Sequence, residues 1–517
     1  MPASPSPFAA FLRRAVPRAA VVAILAAPFA LVPSPTQAQS GRAVEERPEP
    51  PHPVWGASPP TITRLPNGLT VVTVRRDTPG ILAYYTLVRV GSRDEVEPGH
   101  SGFAHLFEHM MFRGTERFPQ EAYERTIQTL GADNNAYTTN DFTCYTVTAP
   151  SSALARVVEL EADRFQHLRY DEAQFRTETG AVLGEYNKSA SSPDLRLEET
   201  LMEMAFTRHT YGHTTLGYLR DVQAMPGYFD YSQAFFRRFY TPDAATVIVA
   251  GDVDHAQVVA LVTAQYGGWR GRRDRARIPV EPEPRAGATR FVPWDGASPP
   301  RVMIGYRTPA FDGGFSGTSR RDVAGRAAAL KETAALQIVH ALAFSTSSPL
   351  YQRLVVDERK LLELRSYAGN SLSLDPGVFV IDATLPDPAS GDASAPPADR
   401  DAMFAVPVNA IQASLADIAS GRTPAERIRD VQSRLRYARI LELETPDDVA
   451  NLIAQTVAVG GDLARLDEYL AALVAVTPED VARVAGRYLV EGRRFVVTLA
   501  PGVSAPPATA PSTGGAR

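Results

Sequence analysis

The chain has 517 residues, 44% of them hydrophobic and 21% charged, which excludes a disordered polymer and is too long for one ordinary core. A formal net charge of −5 gives no general attraction to nucleic acid or to anionic membranes. Cys144 is the only cysteine, so an intrachain disulfide is excluded and stability must come from packed cores.

At the N-terminus, Arg13, Arg14 and Arg18 precede the apolar run 19–32, and small residues follow as far as Ala38. That order predicts a secretory signal peptide over 1–38, cleaved near Ala38. The run is short for a bilayer span and contains Pro28. The expected mature protein is periplasmic or secreted, with no membrane span. Residues 39–60 read as a proline-rich linker. The stretch "TRLPNGLTVVTVRR" (63–76) predicts a hairpin around Asn67-Gly68, and further strands are expected at 81–91 and 142–149. Helical patterns fall at 101–112, 119–130, 151–167, 171–188 and 195–206. The helix–turn–strand text of 234–254 returns at 481–502, which predicts two copies of one domain, over 61–275 and 296–500. A polar linker (276–295) separates them, residues 386–400 read as an insertion rich in Pro, Ala and Asp, and 501–517 as a flexible tail. The fold class predicted is α+β: two homologous domains, each a mainly antiparallel sheet with helices on one face.

The segment "GFAHLFEHMMFRGTERF" (102–118) carries the chemistry. His105 and His109 are four residues apart and share a helix face, a spacing at which neutral imidazoles suit zinc. Glu108 lies near that face and can take a proton from water. The neighbouring side chains are apolar, so charges placed there need partners. The pattern H-x-x-E-H is that of the inverted zincins.

With this motif the chain resembles the pitrilysin/insulinase (M16) metallopeptidases, particularly the two-chain type such as mitochondrial processing peptidase and bacterial periplasmic homologues. "SGFAHLFEHMMFRGTERFP", "NNAYTTNDFTCYTVTAP" and "FYTPDAATVIVAGDVD" carry the resemblance. It implies half of a clamshell chamber and one zinc per chain, with Glu185 of "FRTETGAVLGEYNK" as third ligand, 76 residues beyond His109. Glu178, two helical turns earlier, would support the site or assist catalysis. Gly180 and Gly184 would let this helix approach the motif helix. Glu159, Glu161 and Glu172 read as a solvated face. Asn135, Ala136 and Thr138 would hold an extended peptide or unfolded polypeptide along a sheet edge. His209 and His213 are also four apart, but Tyr211 and Gly212 between them indicate a turn rather than a second metal site.

The second half lacks H-x-x-E-H. Where the family's second half supplies an arginine and a tyrosine to the substrate carbonyl, the resemblance places Val355 and Leu362. Arg359, Arg365 and Tyr367 would serve only after a local insertion. The expected partner is therefore a second M16-type chain supplying that pair in a heterodimer, with a homodimer as the other arrangement. The rival reading, a non-catalytic structural or scaffold subunit, is disfavoured because His105, Glu108, His109 and Glu185 are all present.

Overall fold

The computed structural model describes residue 55 and residues 58–284, 286–311, 323–367, 373–386, 397–441 and 443–501. The signal peptide expected over 1–38, most of the linker 39–60 and the tail beyond 501 lie outside these residues.

The first half opens with the hairpin β1 (Thr61–Arg64) and β2 (Thr70–Arg75), which pair antiparallel as the Asn67-Gly68 turn requires. Gly68 takes φ 98°, the left-handed region that glycine enters without strain. There follow β3 (Ile81–Val88), α1 (Phe103–Met110), α2 (Gln120–Thr129), β4 (Asp133–Thr138), β5 (Thr143–Pro150) and α3 (Leu154–His167). Then come α4 (Glu172–Ala190), α5 (Pro193–Ala205), α6 (Leu219–Ala224), α7 (Phe229–Phe239), β6 (Ala245–Gly251) and α8 (His255–Tyr266). The second half holds β7 (Ala288–Trp294), β8 (Arg301–Arg307), α9 (Val323–Phe344), β9 (Glu363–Tyr367), β10 (Val378–Thr384) and α10 (Pro397–Ala419). It ends with α11 (Ala425–Leu441), α12 (Pro446–Gly460), α13 (Ala464–Val474), α14 (Pro478–Tyr488) and β11 (Arg494–Pro501).

The two sheets have matching strand orders, β1-β2-β6-β3-β5-β4 and β7-β11-β8-β10-β9. In both, one pair is parallel (β2–β6, β7–β11) and the remaining pairs are antiparallel. The repeat predicted from 234–254 and 481–502 is thus a repeat of topology, with β6 and β11 at equivalent places. β7 lies inside the segment read as linker, because its mostly exposed residues show no alternation until it pairs with β11. Trp55, in the segment read as proline-rich linker, is buried in the core.

Successive strand residues point to opposite faces. On one face of the first sheet, Val71, Tyr84, Val147 and Val249 pack with Phe107 of α1, Val157 of α3 and Phe235 of α7. The other face, with Val72, Tyr85, Cys144 and Ile248, packs in one core with Val449 and Ile453 of α12, which comes from the second half. The exchange is reciprocal: Met303, Val380 and Val497 of the second sheet pack against Leu197 and Leu201 of α5, from the first half. Gly305 permits this approach, since a Cβ there would meet Leu201 Cδ1 at 2.8 Å. Burial on both faces explains why "LAYYTLV" and "ATVIVAG" are unbroken apolar runs. Among the described residues one helical stretch, Asp401–Ala419, is by length and composition able to cross a membrane, but Phe404, Val408, Ile411 and Leu415 are buried in the core.

Candidate metal centre

The motif helix α1 begins at Gly102, which takes φ 92° and abuts Leu216 O at 2.9 Å from where its Cβ would stand. The first N–H groups of a helix lack partners within it. Here the buried carboxylate of Glu95 accepts from the N–H groups of Gly102 (2.8 Å) and Ala104 (2.7 Å). Burial pushes the Glu95 carboxyl up to about 8 although both N–H groups pull it down. Along α1, Phe103, Leu106, Phe107 and Met110 are buried, which turns the histidine face towards α4. Helix α4 starts on an Asp171–Gln174 capping box, and its two-turn spacing brings Glu178 and Glu185 onto that face.

Three ligand atoms converge there. Glu185 Oε2 lies 3.5 Å from His105 Nε2 and 3.4 Å from His109 Nε2, and all three atoms fall within 4.8 Å of one another. Atoms held about 2.0–2.1 Å from a tetrahedral zinc lie about 3.3–3.4 Å apart, so the donor set suits that ion in chemistry and the two Glu185–histidine separations match it in spacing. His105 Nδ1 is buried without a hydrogen bond, leaving Nε2 as that ring's polar contact. Among the described residues this is the one such cluster of His, Cys, Asp and Glu.

Around it stand three side chains. Glu178 Oε2 faces His109 Nδ1 at 3.4 Å, and Glu178 is ion-paired with Arg113. Sequence reasoning passed over Arg113, which stands in the turn that follows α1, beyond the reach of a helical-spacing argument. Arg113 Nη1 also donates to Gln120 Oε1 at 3.2 Å. Glu108 is buried, and its Oε2 accepts from Thr138 Oγ1 at 2.8 Å. Thr138 is therefore engaged with the candidate base, a role that its reading as a substrate contact did not foresee.

Of the other two residues read as substrate contacts, Ala136 is buried on the α1 side, whereas Asn135 is exposed on the opposite face. All three lie on β4, which is the edge strand expected. Two readings change. Gly180 and Gly184 have open space where a Cβ would be, so the approach of α4 to α1 uses other positions. Glu161 is fully buried rather than solvated, pairing with Arg164 at 2.6 Å and accepting from Tyr123 Oη at 2.9 Å. Glu159 and Glu172 pair with arginines at the surface, as a solvated face implies.

His209 and His213 flank a 3₁₀ turn, Thr210–Gly212, and do not converge. His209 bonds Asp375 at 3.0 Å and His213 lies 3.8 Å from Glu95. In the second half, α9 occupies the place of α1. Aligning Phe344 with Phe112 sets Gln337, His340 and Ala341 against His105, Glu108 and His109, and His340 Nε2 bonds the backbone O of Ser366 at 2.9 Å. Leu362 is 59% exposed, Val355 is half-buried, and Arg365 is ion-paired with Glu363 on its own strand. Arg359 takes a left-handed φ of 50°.

Burial opposes charge on His109, but Glu178 and Glu185 at its two nitrogens carry it up to about 10. In the metal-free protein this pairing contributes stability that is complete below about pH 6.5 and is lost as pH rises towards 10. A metal needs the neutral ring, so binding must displace that proton. At pH 7 zinc binding is expected to release about one proton per chain. Calorimetry in two buffers of different ionisation enthalpy measures this; release of none means that His109 is neutral before the metal arrives.

Two family models match the chain: "Insulinase (Peptidase family M16)" over residues 71–218 and "Peptidase M16 inactive domain" over 230–434. A Streptomyces coelicolor protein named as a zinc protease is 29% identical over 440 residues, covering 84% of this chain and 87% of that protein. The mitochondrial-processing peptidase subunit beta of Blastocladiella emersonii is 32% identical over 210 residues, 40% of this chain and 44% of the relative. The crystal structure of a protease from Helicobacter pylori superposes with a TM-score of 0.73 at 26% identity, covering 86% of this chain and 100% of the other.

Proposed function

Because this chain belongs to peptidase family M16, we propose that it is an exported zinc-dependent endopeptidase subunit that hydrolyses extended peptides or unfolded polypeptides. One observation carries the reading: Nε2 of His105, Nε2 of His109 and Oε2 of Glu185 converge on one point. Glu108, held by Thr138, lies on the same helix. His105, His109 and Glu185 would hold one zinc, which when bound supplies a Lewis acid that polarises a peptide carbonyl and acidifies water. Glu108 takes a proton from the attacking water on a carboxylate oxygen and passes it to the leaving amine. Thr138 Oγ1 donates to Oε2 of Glu108, so the orientation of the base is fixed. Glu178 orients His109 through Nδ1 and is itself anchored by Arg113.

The substrate adds to the free edge of β4 as an extra strand, bonding mainly through its backbone, with Asn135 and Ala136 beside it. A scaffold without catalysis has no need of Glu108, which supports the enzymatic reading. Export rests on the sequence of 1–38 and places the mature protein in the periplasm or outside the cell.

At the positions where the family supplies donors to the developing oxyanion, Val355 and Leu362 offer none from their side chains. Losing one such donor typically costs about 10²–10³-fold in rate. A second M16-type chain carrying an arginine and a tyrosine would supply the missing groups. The test is to assay an unstructured peptide with this protein alone and then with that chain added. The expected result is near-inactivity alone and activity in the mixture, abolished by chelation. Full activity of the monomer overturns the divided site; activity of a homodimer transfers the role to Arg359, Arg365 or Tyr367.

A further inference from the structure

β4 stands at the edge of its sheet, paired on one side with β5. An edge that receives a peptide strand must keep its own pleat and register, because a shift by one residue turns every side chain to the other face. On the α1 side β4 is fixed by Ala136 in the core and by Thr138 on Glu108. On the opposite side, Tyr137 Oη donates to Asn451 Oδ1 at 2.8 Å. Asn451 belongs to α12, from the half that has no metal cluster among its described residues. One turn earlier on α12, Asp447 Oδ1 accepts from Tyr85 Oη at 2.7 Å and from Thr148 Oγ1 at 3.1 Å. Thr148 stands in register with Asp133 at the start of β4, and Tyr137 lies near its end. A single helix thus grips β3, β5 and β4 from the face opposite the histidines. Its neighbouring residues Val449, Ala450, Leu452 and Ile453 are buried and apolar. Asp447 and Asn451 are half-buried beside them and face the sheet through these hydrogen bonds.

We propose that Asn451 is a positioning residue for the peptide: through Tyr137 it fixes the pleat of β4, so the metal-free half sets the edge on which the substrate is received. The proposal rests on the reading of β4 as the peptide-binding edge. The test measures binding of a fluorescent unstructured peptide to the full chain carrying Glu108→Gln, which blocks cleavage. Tyr137→Phe and Asn451→Leu, each added to that chain, are expected to weaken binding about 2–10-fold, the range that one lost hydrogen bond gives. The double variant should be no weaker than either, and zinc content should be unchanged. Parent-like affinity in Tyr137→Phe, or losses that add in the double variant, overturn the proposal. Hydrogen exchange at the amides of 133–138 is a second measure, expected to quicken in Asn451→Leu; unchanged exchange overturns the buttress. If the parent chain binds no peptide while exchange does quicken, the reading of β4 as the peptide-binding edge fails and the buttress stands.

Discussion

Glu108→Gln is expected to lower peptide hydrolysis by about 10²–10⁴-fold, the usual contribution of a general base, while zinc stays bound. The amide keeps the size of the carboxylate, and its oxygen can still accept from Thr138 Oγ1, which in the native protein lies 2.8 Å from Glu108 Oε2. What the amide cannot do is take up a proton. Cleavage assays in the presence of the second chain, together with metal analysis of the same sample, separate the possible outcomes. Loss of zinc would make Glu108 a ligand. Retained cleavage would require another base, and Glu178 would be the first to examine. Its carboxylate is already engaged by His109 and Arg113, which leaves it poorly placed for that work.

Glu185→Gln should weaken zinc binding on the order of a hundredfold or more. Burial works against the charge of Glu185, yet hydrogen bonds with His105 and His109 bring its carboxyl down to about 2. It is therefore an anion at any pH at which the histidines are neutral enough to bind metal. Zinc sites in small domains are worth about 10–16 kcal/mol, or about 3 kcal/mol for each of four ligands, and the amide is a far weaker donor than the carboxylate. Competition with a chelator reads the affinity directly. Glu178→Gln provides the comparison, because groups that only orient a ligand typically cost about 10–100-fold. Full zinc occupancy in Glu185→Gln would remove this residue from the site.

The ligand pair was legible in the sequence because an i, i+4 repeat on a short apolar helix is local information. So were the hairpin at Asn67-Gly68 and the strand runs at 81–91, where both-face burial writes itself as nearly continuous apolar text, and 142–149, where β-branched and aromatic residues mark the strand. What the sequence concealed depends on partners distant along the chain. β7 looks like a loop because its exposed side chains carry no pattern, and only its pairing with β11 makes it a strand. Glu161 looks like one more acidic residue on a helix until Arg164 and Tyr123 enclose it. Thr138 was placed on the correct strand without its bond to Glu108, since strand period gives the face but not the neighbour across the gap. Gly180 and Gly184 were credited with a close approach, but α4 carries them on its open side.

The mutual covering of the two sheets by α5 and α12 bears on how such a chain could have arisen. Each half lends one arm and receives the equivalent arm of the other, as subunits do in a domain-swapped pair related by a twofold axis. A single ancestral half would have left one sheet face bare, and two copies exchanging arms would have covered both. Duplication and fusion would make that exchange permanent, and one copy could then do without the histidine–glutamate cluster while still covering its twin's sheet.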